Sequence, residues 1–261
     1  YEMFFEDALE VGPVLDIAVT TRDKNRDDPV PMAGIPYHAI GGYLRTLVER
    51  GYKVAICEQT ETPEEAKKRK GPKIVNREVV RVVSPGALLD EEHLDARRAN
   101  FMAAVVPVDT LPGPAGVAAL DISSGEFSIS WAEDADALRT ELARLDPSEL
   151  VASPKHHEWL RAALDPDCPR LEGKVEEAGQ ALRQRVRHLA EESGAQGRGE
   201  LRVQEVDAAA RCLAYAEATQ PGQTLLLHRL RRHAPDGHLR LDETSIRNLE
   251  IFHTLRDGNR K

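Results

Sequence analysis

Cysteine, aromatic residues and long apolar runs are all scarce in this sequence of 261 residues. The three cysteines, Cys57, Cys168 and Cys212, are odd in number and too far apart for a disulfide framework or a metal-ligand spacing. Aromatic residues make up 5% of the chain, and no apolar run approaches the roughly 18 residues that span a membrane. No Gly-x-x-x-x-Gly-Lys-[Ser/Thr] loop for nucleotide phosphates occurs. These absences argue against secreted disulfide-rich, membrane and P-loop proteins, and they predict a cytoplasmic location.

The charge is acidic overall but basic in one place. The net charge of −9 argues at face value against a nucleic-acid partner. Between residues 67 and 81, however, seven basic side chains face a single acidic one, Glu78. The basic residues are Lys67, Lys68, Arg69, Lys70, Lys73, Arg77 and Arg81. This basic segment has two interpretations, a set of phosphate contacts or a solvated surface loop.

Residues 1–90 alternate short apolar runs with turns and predict a small α/β domain. The apolar spacing of residues 42–50 predicts an amphipathic helix that Gly51 ends. Residues 53–57 read as a buried strand, and residues 79–83 read as another strand before Pro85. Residues 91–100 are charged and predict a linker.

Residues 101–222 predict a second α/β domain. Strands are expected at 101–108, 116–122, 126–131 and 150–152, and helices at 134–145 and 203–219. From Leu225 the pattern is strand, turn and strand, followed by a helix from about Glu243. We therefore expect residues 223–261 to begin a further domain.

Five segments in the first 90 residues carry distinctive motifs in a fixed order: Tyr1–Ala8, Leu15–Arg22, Pro31–Ala39, Gly51–Gln59 and Arg77–Gly86. Leu120–Phe127 and Arg247–Ile251 follow later in the chain. Together these segments resemble the MutS family of bacterial DNA mismatch-repair proteins. Between about 130 and 220 the resemblance rests on position alone.

The resemblance implies two small mixed α/β domains and the start of a third. They are a mismatch-recognition domain at 1–90, a ribonuclease-H-like connector at 101–222 and a truncated, helical core domain from 223. The chain starts with Tyr1 rather than Met, inside the Phe-x-Glu motif with which the family reads mismatches. We therefore expect an amino-terminal portion of a longer protein, in which a stacking Phe precedes Tyr1.

The resemblance also implies DNA-binding residues, namely Glu2, Arg22, Pro31, Met32, Lys70 and Arg81. Glu2 would hydrogen-bond a mispaired base, and the loop with Pro31 and Met32 would lie at the minor groove. The implied partners are mismatched duplex DNA, the repair protein MutL through the connector, and a second copy of the full-length protein. We expect no catalytic residue, metal or cofactor in this chain, because the ATP and Mg²⁺ of the family belong to the carboxy-terminal part.

Several of these residues have plainer interpretations. Glu2 can be an ordinary surface carboxylate, and Met32 can be a core residue in a buried turn. Asp121 ends an apolar strand, where it can either hold a metal in a nuclease or bond to the following Ser123-Ser124-Gly125 turn. His156 and His157 lack other ligands at a metal spacing and predict a loop. The competing functions are therefore a metal-dependent nuclease and a module that only docks MutL.

Overall fold

The computed structural model describes residues 1–22, 28–88, 99–164, 170–172, 178–195, 199–233, 245 and 248–249. The chain divides into two compact units, Tyr1–Pro85 and Gly86–Lys261. The predicted linker up to residue 98, most of the helix expected from Glu243, and Cys168 lie outside the described residues. Among the residues that are described, no helix is long and apolar enough to cross a membrane.

The first unit contains a three-stranded antiparallel sheet in which β3 is the central strand. Its strands are β1 (Glu2–Phe4), β2 (Thr20–Arg22) and β3 (Val30–Gly34), and helix α1 (Phe5–Val14) packs against β3. Within the motif Leu15–Arg22, only Thr20–Arg22 forms a strand, β2. Leu15 ends α1, and the left-handed backbone of Asp16, with φ of 53°, turns the chain before the strand begins.

The rest of the first unit is a helix and a long hairpin. Its elements are α2 (Ile40–Glu49), β4 (Val54–Gln59), α3 (Pro63–Lys68) and β5 (Arg77–Val83). The amphipathic helix is confirmed: α2 buries Leu44, Leu47 and Val48. The strand expected at 53–57 is present as β4, but it is not buried as a whole. It pairs with β5 alone, and Ile56 is its buried residue.

The second unit is built on a six-stranded sheet in the order β10-β9-β6-β7-β8-β11. The strands are β6 (Met102–Pro107), β7 (Ala115–Leu120), β8 (Phe127–Ala132), β9 (Glu149–Val151), β10 (Arg170–Glu172) and β11 (Leu230–His233). The first three form an antiparallel meander, and β9 and β10 continue in parallel beyond β6. The mixed α/β class and the meander followed by strand–helix alternation agree with the sequence prediction.

Helices lie on both sides of this sheet. They are α4 (Ala135–Leu145), α5 (His157–Ala163), α6 (Gln180–Glu192) and α7 (Val203–Thr219). One apolar cluster joins α6 and α7 to Leu120 and Phe127, and a second joins α4 to Val117 and Leu150. Helix α7 crosses β7 so closely that a Cβ on Gly116 would meet the Gln204 backbone carbon at 2.3 Å.

One prediction for the region after residue 222 needs correction. Strand β11 does not start a separate domain, because it pairs in parallel with β8 at the edge of the second unit's sheet. Leu230 is 1% exposed there, and Arg232 forms an ion pair of 2.7 Å with the buried Glu205 of α7. Burial of an apolar side chain and pairing of a charge thus hold this segment to the preceding residues.

Candidate nucleic-acid interface

The three-stranded sheet of the first unit has one covered face and one open face. Ala33 is fully buried on the face against which α1 packs. In the strand register Phe4 lies opposite Met32, and Met32 lies opposite Thr20. Glu2 lies opposite Gly34 and Arg22 opposite Val30 in the same register. Because residues directly opposite one another share a face, these side chains belong to the face away from Ala33.

This open face combines an apolar centre with a charge of each sign. Phe4 and Met32 are half-buried, whereas Glu2, Thr20 and Arg22 are exposed. The Arg22 guanidinium lies 5.8 Å from the centroid of the Phe4 ring, within range of a cation–π contact. Such a surface can press apolar atoms against a groove while a guanidinium meets a phosphate and a carboxylate meets a base N–H.

The structure separates two predicted residues that are adjacent in the sequence. Met32 lies on the open face, whereas Pro31 lies opposite Thr21 and belongs to the face that α1 covers. Both side chains are half-buried. Of these two predicted residues, only Met32 therefore lies on the open face.

The basic segment, residues 67–81, lies within the hairpin of β4 and β5 and runs from the end of α3 into β5. Thr62 caps α3, with its hydroxyl accepting from the Glu65 N–H while the Glu65 carboxylate accepts from the Thr62 N–H. Arg69 is held in place: it donates to the Pro72 and Ile74 carbonyls, each at 3.0 Å, and lies 3.3 Å from Glu61. The lysines of the segment, Lys67, Lys68, Lys70 and Lys73, are exposed. The capping box and the Arg69 contacts thus fix the backbone of the segment, and its exposed lysines can reach phosphates.

Arg81 lies near a cluster that sequence reasoning missed. The Tyr1 hydroxyl donates a hydrogen bond to Glu58 of β4, and the Tyr1 ring stacks on Tyr37 with centroids 5.6 Å apart. The hydrogen bond to Glu58, and then burial, raise the pKa of Tyr1 to about 12, against a smaller opposing effect of the Arg81 charge. Half-buried Arg81 is therefore close to Tyr1 rather than at the tip of the basic segment. No pattern in the sequence indicated that residues 1 and 58 would meet.

Phe5 is a second feature that the sequence did not reveal. It occupies the left-handed region with φ of 55° and is 62% exposed. That conformation is strained for a bulky side chain, and such strain tends to occur at functional positions. The only hint in the sequence was the pair Phe4-Phe5, since two adjacent aromatic side chains cannot both lie on the same face of a strand.

The two other candidate centres have structural roles. The Asp121 carboxylate accepts from the Ser123 N–H at 2.8 Å, the Ser123 hydroxyl at 2.6 Å and the Asn100 N–H at 3.0 Å. These bonds form the turn after β7 that was the alternative to a nuclease site. His156 is buried, which lowers its pKa, and His157 contacts the Ala152 carbonyl at 3.1 Å. Across the described ranges, no three His, Cys, Asp or Glu residues form a group that could hold a metal ion.

Comparison with known proteins agrees with the division into two units. The family model described as MutS domain I matches residues 1–92, and that described as MutS domain II matches residues 100–228. A DNA mismatch repair protein MutS from Desulfatibacillum aliphaticivorans is 39% identical over 271 residues, covering 100% of this chain and 29% of that protein. The MutS of Ruegeria sp. strain TM1040 is also 39% identical, over 99% of this chain and 29% of its own length. The MutS of Syntrophomonas wolfei is 37% identical, over 100% of this chain and 30% of its own length.

The chain therefore spans about 29% of the length of these curated relatives. The two family models together cover nearly all of its first 228 residues, and the gap between them, residues 93–99, begins a few residues after the boundary between the two structural units. The chain belongs to the MutS family, of which it holds domains I and II.

Proposed function

We propose that this chain recognises mispaired or unpaired bases in duplex DNA, noncovalently, as the mismatch-reading part of a longer MutS protein. The observation that carries the proposal is the open face, where Glu2, Phe4, Arg22 and Met32 lie together in the unit that resembles MutS domain I. A face that reads bases needs apolar and hydrogen-bonding groups together, and the register of the three strands supplies both.

The parts of this face have different tasks. Phe4 and Met32 offer apolar surface to the floor of a groove, where unstacking costs least at a defective pair. Arg22 and the lysines of the basic segment supply phosphate contacts, which position the duplex without reading its sequence. The Glu2 carboxylate is repelled by phosphates, so it contributes only where a base presents an N–H or shares a proton. Glu2 thus selects among duplexes, and the cations provide affinity.

The second unit would act as a connector and not as a reader. We propose that its surface relays the state of the first unit to the ATPase part of the longer protein and to MutL. ATP and Mg²⁺ would bind in that ATPase part, and the longer protein would act as a homodimer in the cytoplasm. Asp121 supports this view, because its carboxylate holds the turn after β7 through bonds to Ser123 and Asn100.

The experiment replaces Glu2 by Ala in a full-length MutS that carries residues 1–261 of this chain in place of its own. A suitable recipient is the Desulfatibacillum aliphaticivorans protein, which matches the whole chain. Dissociation constants for a mismatched and a matched duplex are measured by fluorescence anisotropy. We expect Glu2→Ala to tighten matched DNA by about 0.5–1 kcal/mol and to narrow the ratio of the two constants.

The matched control is Glu6→Ala, since Glu6 is an exposed carboxylate of α1, the helix behind the sheet. It removes the same charge and should leave the ratio unchanged. Equal loss of affinity for both duplexes, with the ratio preserved in Glu2→Ala, would refute the selective role of Glu2.

A further inference from the structure

Tyr1 is held from three directions at the edge of the open face. Its nitrogen donates to the Ile35 carbonyl and its carbonyl accepts from the Ile35 N–H, both at 2.9 Å. Its ring lies against Tyr37 with only 15° between the ring planes. Its hydroxyl donates to the Glu58 carboxylate. The backbone and the ring of Tyr1 thus have their partners at residues 35 and 37, and the hydroxyl has its partner in β4.

Glu58 connects the small sheet to another element. It belongs to β4, whose sheet contains only β4 and β5, whereas the open face is formed by β1, β2 and β3. The Tyr1–Glu58 hydrogen bond therefore ties the end of the three-stranded sheet to the hairpin. Glu2 directly follows Tyr1 and is exposed on the open face.

We propose that the Tyr1–Glu58 hydrogen bond sets the position of Glu2 from behind, so that Tyr1 and Glu58 are positioning residues for mismatch discrimination. This inference rests on the proposed function of the first unit. Strand β1 has only three residues and lies at the edge of its sheet, so the strand pairing alone holds Glu2 loosely. A base-reading carboxylate needs placement within about 0.5 Å, which a packed and hydrogen-bonded neighbour can impose.

The chemistry of this hydrogen bond suits a permanent tie. A hydrogen bond to a carboxylate is stronger than a neutral one. Because the pKa of Tyr1 is about 12, the hydroxyl keeps its proton and donates throughout the physiological range. Tyr1→Phe removes this single bond and retains the ring that stacks on Tyr37.

The first measurement concerns the tie itself and uses the 261-residue chain. Hydrogen exchange of the Ile35 amide, which donates to the Tyr1 carbonyl, is followed by NMR. We expect Tyr1→Phe and Glu58→Ala to speed this exchange about fivefold or more, and Glu58→Gln, which keeps an acceptor oxygen, to stay within about twofold of the parent. Tyr43→Phe is the matched control, because Tyr43 lies in α2 and should not affect Ile35.

The second measurement concerns discrimination and uses the chimeric full-length protein. We expect Tyr1→Phe and Glu58→Ala each to narrow the mismatched-to-matched ratio about threefold to tenfold, with matched affinity within about twofold of the parent. Their combination should narrow it no further than either alone, because both remove the same bond. Glu58→Gln should keep the ratio, which a loss of overall stability would not explain.

The results distinguish the positioning role of Tyr1 and Glu58 from the mismatch-reading role of the open face. If Glu2→Ala narrows the ratio while Tyr1→Phe and Glu58→Ala leave it unchanged, the positioning role is refuted and the proposed function stands. If Glu2→Ala also leaves the ratio unchanged, the reading role of the face fails and the positioning role fails with it. Unchanged exchange at Ile35 in both Tyr1→Phe and Glu58→Ala would overturn the tie irrespective of any DNA result.

Discussion

Glu205 is a charged side chain in the interior of the second unit, where its charge is neutralised by Arg232. Its side chain is 1% exposed, and Arg232 donates to its two oxygens at 3.0 and 2.7 Å. Arg232 also donates to the Gly199 carbonyl at 2.9 Å. A buried carboxylate is tolerated only when it is paired and hydrogen-bonded, so this bidentate interaction maintains the junction of α7 and β11.

We expect Arg232→Met to destabilise the second unit by about 2–4 kcal/mol, because it leaves the Glu205 charge buried without its partner. Both tryptophans of the chain, Trp131 and Trp159, lie in this unit. Urea unfolding followed by tryptophan fluorescence therefore reports on it selectively. Arg231→Met is the control, since Arg231 is 77% exposed and 3.8 Å from Glu126, and it should change stability by less than about 0.5 kcal/mol. Equal effects of the two substitutions would contradict the role of the buried pair.

The basic segment between β4 and β5 has two kinds of cationic side chain. Arg69 serves the loop itself, whereas Lys67, Lys68 and Lys70 are exposed around the end of α3. Because the segment is structured, its charges keep fixed positions relative to one another. Fixed positions favour phosphate binding over the alternative of a solvated loop.

We expect replacement of Lys67, Lys68 and Lys70 by Glu to weaken matched and mismatched DNA about equally in the chimeric protein. The slope of log K against log salt should become shallower by up to about 2.7, which is about 0.9 for each phosphate that the variant no longer binds. Replacement of Arg161, Arg187 and Arg229 by Glu is the control. These residues are exposed in the second unit and give the same change of net charge. Identical slopes for both triple variants would favour the solvated loop.

Elements with a local cause were predictable from the sequence, and interactions between distant residues were not. Helix α7 was predicted at its observed bounds because its apolar residues recur at helical spacing, and Asp134 marked the start of α4 by accepting from the Ala137 N–H. The open face depends on the register between β1, β2 and β3, and the position of β11 depends on Glu205 and Arg232, which are 27 residues apart. Glu2, Arg22 and Met32 could be named from their motifs, but their common face follows only from strand pairing.

The second unit should be stable by itself, and the residues that pack into it at its two ends set its limits. Ala87 is 1% exposed, the Gly86 N–H donates to the buried Glu149, and β11 closes the other edge of the sheet. We expect the segment 86–233 to unfold in urea cooperatively and to exceed the stability of the segment 98–222 by about 3–5 kcal/mol, since the shorter one lacks these interactions and leaves Glu205 unpaired. Tryptophan fluorescence measures both. Equal stabilities would show that residues 86–97 and 223–233 contribute no net stability.

The DNA affinity of the 261-residue chain follows from its charge. A net charge of −9 opposes binding as a whole, and Arg22 with the basic segment offers about three to six phosphate contacts. At a slope of about 0.9 per phosphate, affinity should fall roughly 40-fold to 2000-fold between 50 and 200 mM salt. This electrostatic term is the same for every sequence. We therefore expect the 261-residue chain to bind weakly and with little preference for a mismatch. Fluorescence anisotropy at several salt concentrations measures both quantities, and nanomolar, mismatch-selective binding near 150 mM salt would show that Glu2, Phe4 and Met32 suffice to read a mismatch.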